Sequence, residues 1–321
     1  MKSITKEELN KCKNIISKIR KNYSNKIISQ ENLLKSILIS LMSNSHILIE
    51  SVPGLAKTTA AKTISEIFNL KFSRIQCTPD LLPSDIIGTQ IFNYKNNNFE
   101  TRIGPINSNF ILLDEINRLN PRTQSATLEA MQEKQITIDN KTYKLPDIFI
   151  VIATQNPIEE DGIYPITGAQ LDRFLIKELI SYPTKEEEFK ILDLLENNNK
   201  NKETIPEKEL KYLQDITDKV YIDKKIKQYI VEIIHSTRKP NSSIELGSSP
   251  RGSISFMKAS KAFALINGRD YVTPDDIKDL RYLVLRHRIT TDYSIIESDK
   301  TIENIIDSIF ERIDTPWNIN M

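Results

Sequence analysis

The chain has 321 residues, and its 44 Lys and Arg against 43 Asp and Glu leave a formal net charge of +1. That length supports two domains with a sizeable core, and the balanced charge excludes a global attraction to nucleic acid or acidic membranes. Two cysteines, Cys12 and Cys77, make neither a disulfide framework nor a Cys/His zinc spacing, so a reduced, cytoplasmic protein is expected.

The N-terminus, MKSITKEELNKCKN, is polar and lacks the apolar stretch of a signal peptide. Cys12 falls with Leu9 and Ile16 on one helical stripe, which predicts a packed thiol. Apolar runs follow at 47–49, 110–113, 148–153 and 175–180, with a weaker one at 72–77 that Cys77 ends. The longest, 148–153, is far below the ~18 residues of a membrane span, so no transmembrane segment is expected. Short continuous apolar runs alternating with helical patterns predict an α/β fold whose parallel strands are buried on both faces. Two further stretches read as hairpins, 89–103 around an Asn-rich centre and 135–145, where Ile136 and Ile138 alternate with polar residues.

Near residue 184 the pattern becomes helical, dividing the chain into an α/β domain, 1–184, and an all-helical domain, 185–321. Thr184 with Glu187, and Thr273-Pro274-Asp275-Asp276, read as helix starts. Ile226, Tyr229, Ile230 and Ile233 form one stripe at helical spacing, and Ile302, Ile305, Ile306 and Ile309 another. Residues 197–202 (NNNKNK) read as a polar loop. His46, His235 and His287 are scattered without triad or metal spacing and read as core or surface histidines.

The first strand is followed by Glu50, Ser51, Val52, Pro53, Gly54, Leu55, Ala56, Lys57 and Thr58, then a helical run over 59–68 that opens with Thr59. A phosphate loop needs backbone N–H groups around anionic oxygens at a helix N-terminus, a Lys for the β- and γ-phosphates, and a hydroxyl for Mg²⁺. Lys57 and Thr58 match those roles, although Ser51 and Ala56 stand at both glycine positions of GxxxxGK[ST]. Taken alone, the segment also fits an ordinary strand–turn–helix. The strand at 110–113 ends in Asp114 and Glu115. Acids at the carboxyl end of a buried strand sit where open α/β sheets bind ligands. Asp114 can hold Mg²⁺ through water and Glu115 can polarise an attacking water.

From this point the sequence resembles the MoxR family of AAA+ ATPases. The resemblance is carried by Asp114-Glu115-Ile116-Asn117-Arg118, by residues 123–133 (TQSATLEAMQE), by 153–159 (ATQNPIE), by Gly162-Ile163-Tyr164-Pro165 and by 169–174 (AQLDRF). It extends to Gly247-Ser248-Ser249-Pro250-Arg251 and so spans nearly the whole chain. The resemblance implies an AAA+ P-loop core with a five-stranded parallel sheet followed by a helical lid, with ATP and Mg²⁺ as cofactors. It further implies that Asn156 is the sensor-1 residue, Arg173 an arginine finger acting on a neighbouring subunit's nucleotide, and Arg251 the sensor-2 residue, in cis or in trans. Arg118 is implied at the subunit interface, 89–103 as the helix-2 insert, and 135–145 as the hairpin before sensor 1.

The resemblance thus implies a homo-oligomeric, hexameric ring hydrolysing ATP to remodel a protein client that carries a von Willebrand factor A domain. The family usually has Gly where Ser51 stands and Val-Gly-Gln where Ile28-Ser29-Gln30 stands, near the adenine side. A turn glycine can be replaced where its φ is negative, and Ser51 is expected to be tolerated because Lys57, Thr58, Asp114, Glu115, Asn156 and Arg173 are all retained. A nucleotide-binding scaffold with negligible turnover is the alternative. A DNA-remodelling motor would need a nucleic-acid track that the balanced charge does not offer, and kinship of fold also allows a chelatase-type motor.

Overall fold

A computed structural model describes residues 4–52, 54–157, 162–196, 203–239, 244–291 and 301–316. Helices α1 (Lys6–Ser24) and α2 (Glu31–Met42) precede strand β1 (Ile47–Ser51), helix α3 (Lys57–Ile67) and strand β2 (Phe72–Gln76). A short helix α4 (Pro83–Ile87) leads into a hairpin of β3 (Gly88–Asn93) and β4 (Asn98–Ile103), followed by β5 (Phe110–Asp114) and α5 (Pro121–Glu133). A second hairpin, β6 (Gln135–Ile138) and β7 (Lys141–Lys144), precedes β8 (Ile150–Gln155), the one-turn α6 (Gly168–Leu171) and β9 (Ile176–Ile180). Helices α7 (Lys185–Glu196), α8 (Glu207–Lys219), α9 (Lys224–Ser236), α10 (Pro250–Ile266), α11 (Pro274–Asp279), α12 (Arg281–Leu285) and α13 (Ile302–Glu311) complete the fold.

The sheet has five strands in the order β2-β5-β8-β1-β9, and every pairing is parallel. Its apolar runs are continuous because alternate residues face two different cores. Ile47, Ile49, Phe110, Leu112, Ile150 and Ile152 join one cluster. Leu48, Ile111, Leu113, Val151 and Ala153 join the other, with Leu128 and Met131 of α5. The first cluster continues through Ile16 of α1 and Ile37 of α2 into Leu213 of α8 and Phe263 of α10. The helices before the sheet therefore share one core with the helical domain after it.

The two hairpins form where alternation placed them, each as a separate two-stranded sheet. Helix α3 starts at Lys57, two residues ahead of the expected 59–68 run, because Lys57 and Thr58 are polar and carry no apolar periodicity. Ile148 and Phe149 are buried but precede β8, so burial there outruns strand pairing. The helical stripes pack as expected, with Ile226, Tyr229, Ile230 and Ile233 buried, as are Ile305, Ile306 and Ile309. Thr273 caps α11 in a reciprocal box with Asp276. The Thr184 amide donates to Glu187 Oε2 at 2.8 Å. Cys12 and Cys77 are fully buried, and desolvation pushes both thiols up, Cys12 to about 11. Residues 197–202 lie outside the described residues. No described helix is long and apolar enough to cross a membrane.

His46, just before β1, ties the sheet to α5. Its Nδ1 accepts from the Val151 amide and its Nε2–H donates to the Met131 carbonyl, both at 3.1 Å. Burial pushes its pKa down to about 4, so the folded ring stays neutral while the unfolded ring protonates near 6.5. The unfolded chain then binds the extra proton, and this stabilisation is complete above pH 6.5 and declines as pH falls toward 4. Buried His287 is shifted in the same sense. His46→Gln is therefore expected to remove about 1.4 kcal/mol per pH unit from the acid-side slope of stability in that window, as measured by urea unfolding at a series of pH values.

Candidate functional site

The carboxyl edge of the sheet gathers most of the residues singled out by the sequence. Ser51 ends β1, buried, with its Oγ donating to the Val52 carbonyl at 3.1 Å. Pro53 lies outside the described residues. Gly54 (φ 87) and Ala56 (φ 53) take left-handed backbones, whereas Ser51 is not among the positive-φ residues. The backbone condition for replacing glycine is thus met at Ser51, and the strain lies at Ala56, where a left-handed L-residue costs about 1–2 kcal/mol. Successive reversals of this kind turn amide N–H groups into an anion-binding concavity. Helix α3 opens directly behind it, and its N-cap, Ala56, supplies no side-chain capping bond. Lys57 and Thr58 are half-buried, Leu55 is buried and Thr59 is exposed. Lys57 Nζ lies 3.4 Å from the Ser51 carbonyl oxygen.

Asp114 ends β5, which lies across β8 from β1. Its Oδ1 accepts from Thr154 Oγ1 of β8 at 2.8 Å, and its Oδ2 accepts from Arg74 Nη2 of β2 at 2.6 Å. The Glu115 amide donates to the same Thr154 hydroxyl at 2.8 Å, fixing Glu115 in a left-handed conformation (φ 61). Glu115 Oε2 accepts from Arg118 Nη1 at 3.1 Å and from Gln76 Nε2 at 3.2 Å. Arg118, expected at a subunit interface, is thus engaged with an acid three residues away in its own chain. Asn156 follows β8, buried, on this same edge. Thr154, Arg74 and Gln76 had no role from the sequence, because each matters only through strand pairing.

A hollow of about 540 Å³ opens beside the loop, where Ser51 registers with Ile180 of β9. Ser29, Gln30, Glu178, Tyr182 and Thr184 help line it. Its volume is that of a small-molecule site, and it contains the 28–30 segment expected near an adenine. At the tip of the first hairpin, Phe92 packs edge-on against Tyr94 and Phe99, both largely exposed.

Arg173 and Arg251 are not on this edge. They line a second hollow, of about 250 Å³, with Ser45, His46, Gln132 and Lys258. Ser45 and His46 precede β1, and Arg173 precedes β9, which pairs in parallel from Ile47 against Ile176. The hollow is therefore at the amino end of β1, separated from Lys57 and Thr58 by the length of the strand, about 17 Å. Arg251 Nη2 donates to Gln132 Oε1 at 3.1 Å. Arg173 Nε and Nη1 are buried without a hydrogen-bond partner among the described residues. The segment bearing Arg251 is held tightly against the end of α9. A Cβ on Gly247 would stand 2.3 Å from the Thr237 carbonyl oxygen, and the Ser248 amide donates to Thr237 Oγ1 at 3.0 Å.

Comparison with known proteins gives a consistent picture. Residues 46–176 match the model of the ATPase family associated with various cellular activities (AAA), and residues 239–309 match that of the AAA lid domain. The chain is 39% identical to Chaperone MoxR1 of Mycobacterium tuberculosis over 299 residues, covering 90% of this chain and 79% of that protein. It is 48% identical to YeaC of Bacillus subtilis over 255 residues, covering 78% and 79%. The crystal structure of a candidate ATPase from Cytophaga hutchinsonii superimposes with a TM-score of 0.90 at 39% identity, covering 97% of this chain and 98% of that one.

Thr154 joins Asp114 to the strained Glu115 backbone with one hydroxyl. Thr154→Val preserves its shape but leaves the Glu115 amide without its acceptor. The expected cost is about 1–3 kcal/mol of unfolding free energy, measured by urea denaturation.

Proposed function

Because the chain belongs to the MoxR family of AAA+ ATPases, we propose that it hydrolyses Mg-ATP at contacts between copies in a ring and uses the cycle to remodel a protein client. In this reading the 51–59 loop and the N-terminus of α3 hold the triphosphate, with Lys57 neutralising the β- and γ-phosphates. The adjoining 540 Å³ hollow takes the nucleoside. Asp114 and Thr58 are hard oxygen donors of the kind Mg²⁺ accepts beside nucleotide phosphates. Asp114 Oδ2 already accepts from both Nε and Nη2 of Arg74, whereas Oδ1 carries only the Thr154 hydroxyl and keeps a lone pair for a metal-bound water. Bound there, the metal would supply neutralisation of phosphoryl charge. Glu115, anchored through Thr154, accepts a proton from the attacking water, and Asn156 orients that water.

The observation that carries the ring is the pair of arginines on the wrong edge for their own nucleotide. Arg173 has buried donors without partners, and buried polar groups left so in a native chain call for a ligand or partner. The strand length between Arg173 and the loop supports action in trans, and Arg251 shares its hollow, so both guanidiniums serve the neighbour's phosphates. A contact joining one edge of a chain to the opposite edge of the next is heterologous and closes into a ring when its rotation permits. Six copies, a cytoplasmic setting and a client bearing a von Willebrand factor A domain complete the proposal, on the strength of the family.

A scaffold that binds nucleotide without appreciable turnover is the competing reading, supported by Ser51 at a position where the family usually has glycine. Glu115→Gln separates the two. Removing the general base is expected to lower phosphate release about 10²–10⁴-fold while nucleotide binding is retained. Equal rates in the two proteins would establish the scaffold instead.

A further inference from the structure

Neither trans arginine is oriented chiefly by its own hydrogen bonds, and what holds each in place lies one or two residues away. Arg173 sits in the segment joining α6 to β9. The Asp172, Phe174 and Leu175 carbonyl oxygens of that segment all accept from Arg288, which follows α12 in the helical lid. Arg288 also donates through Nε to Asp172 Oδ1 at 2.7 Å, through Nη1 to the Val284 carbonyl at 2.6 Å, and through Nη2 to Ser255 Oγ at 2.9 Å. Every nitrogen of the guanidinium is thus engaged, and the side chain is only 1% exposed. Burial pulls its pKa down to about 10 despite the Asp172 carboxylate. His287 adds a further grip, its Nε2 lying 3.2 Å from the Phe174 carbonyl oxygen.

The other oxygen of the same carboxylate points to the second arginine. Asp172 Oδ2 accepts from Ser249 Oγ at 2.5 Å. Ser249 is the N-cap of α10, and its Oγ accepts from the Arg251 amide at 3.0 Å. One carboxylate therefore ties the backbone of Arg173 to the helix start that bears Arg251, across the junction of core and lid.

We infer that Asp172 is a positioning residue: held between Arg288 and Ser249, it fixes the spacing of Arg173 and Arg251 so that core and lid present both guanidiniums to the neighbour's phosphates as one unit. A guanidinium acting on a transferring phosphoryl group must be in place before the transition state, and a displacement of about 1 Å can cost 10²-fold in rate. The clamp touches no group of its own chain's phosphate loop, so its loss alters the adjacent site and not its own. This inference rests on the trans reading of the two arginines.

Asp172→Ala would leave the Arg288 charge buried and unpaired and would threaten folding, so the informative variants are gentler. Ser249→Ala removes the link and leaves Arg288 paired. Ser249→Ala is expected to lower kcat about 10- to 100-fold with KM for ATP within about threefold, in a protein that remains folded by circular dichroism. Ser249→Thr, which restores the hydroxyl, should recover the rate. Unchanged kcat in Ser249→Ala would overturn the role.

Mixing then tests where the defect acts. A Lys57→Ala subunit has a disabled phosphate loop but an intact arginine face. Combined with Ser249→Ala subunits, it is expected to restore phosphate release several-fold above the sum of the separate proteins. Mixing Lys57→Ala with Arg173→Ala tests the trans reading by itself. Recovery there without recovery for Ser249→Ala overturns the clamp and leaves trans action standing. Recovery in neither mixture removes both.

Discussion

A parallel sheet has two chemically different ends, and in this chain that polarity governs where every reactive group can be. All five strands deliver their carboxyl ends to one edge. The loop after β1, the acids ending β5 and the asparagine after β8 therefore converge without long-range design. The segment entering β9 is obliged to lie at the other edge, and it carries Arg173. A covalently continuous strand of about 17 Å separates Arg173 from the loop after β1, and in the function proposed above a second copy completes the site.

The converging edge is also where the backbone departs from relaxed geometry. Ala56 and Glu115 both occupy the left-handed region without being glycine, and residues of that kind persist where surrounding structure over-determines them. For Glu115 the restraint is visible as a single hydroxyl on Thr154, shared with Asp114. Arg74 holds the remaining oxygen of Asp114, so the carboxylate is oriented from both neighbouring strands. Pre-orientation of this sort reduces the rearrangement needed at the moment of reaction.

The lid is not an appendage. Its helices share an apolar core with α1, α2 and one face of the sheet, and its buried Arg288 grips the backbone on both sides of Arg173. Movement of the lid would act on the arginine face as well as on the 540 Å³ hollow, since α2 contributes to both the shared core and that hollow.

The sequence by itself determined the sheet strands, because runs such as 110–113 must be apolar on both faces when the sheet separates two cores. It determined the lid stripes, the hairpins and the Lys57-Thr58 and Asp114-Glu115 pairs, since periodicity and local spacing record them directly. The start of α3 escaped it, because polar Lys57 and Thr58 leave no periodic trace. Thr154, Arg74 and the Asp172–Arg288 pair escaped it for a deeper reason. Their meaning exists only when residues 40 or 116 positions apart are brought into contact. The edge of the sheet at which Arg251 lies was likewise decided by tertiary structure alone, because it depends on where the lid packs, and no local pattern encodes that choice.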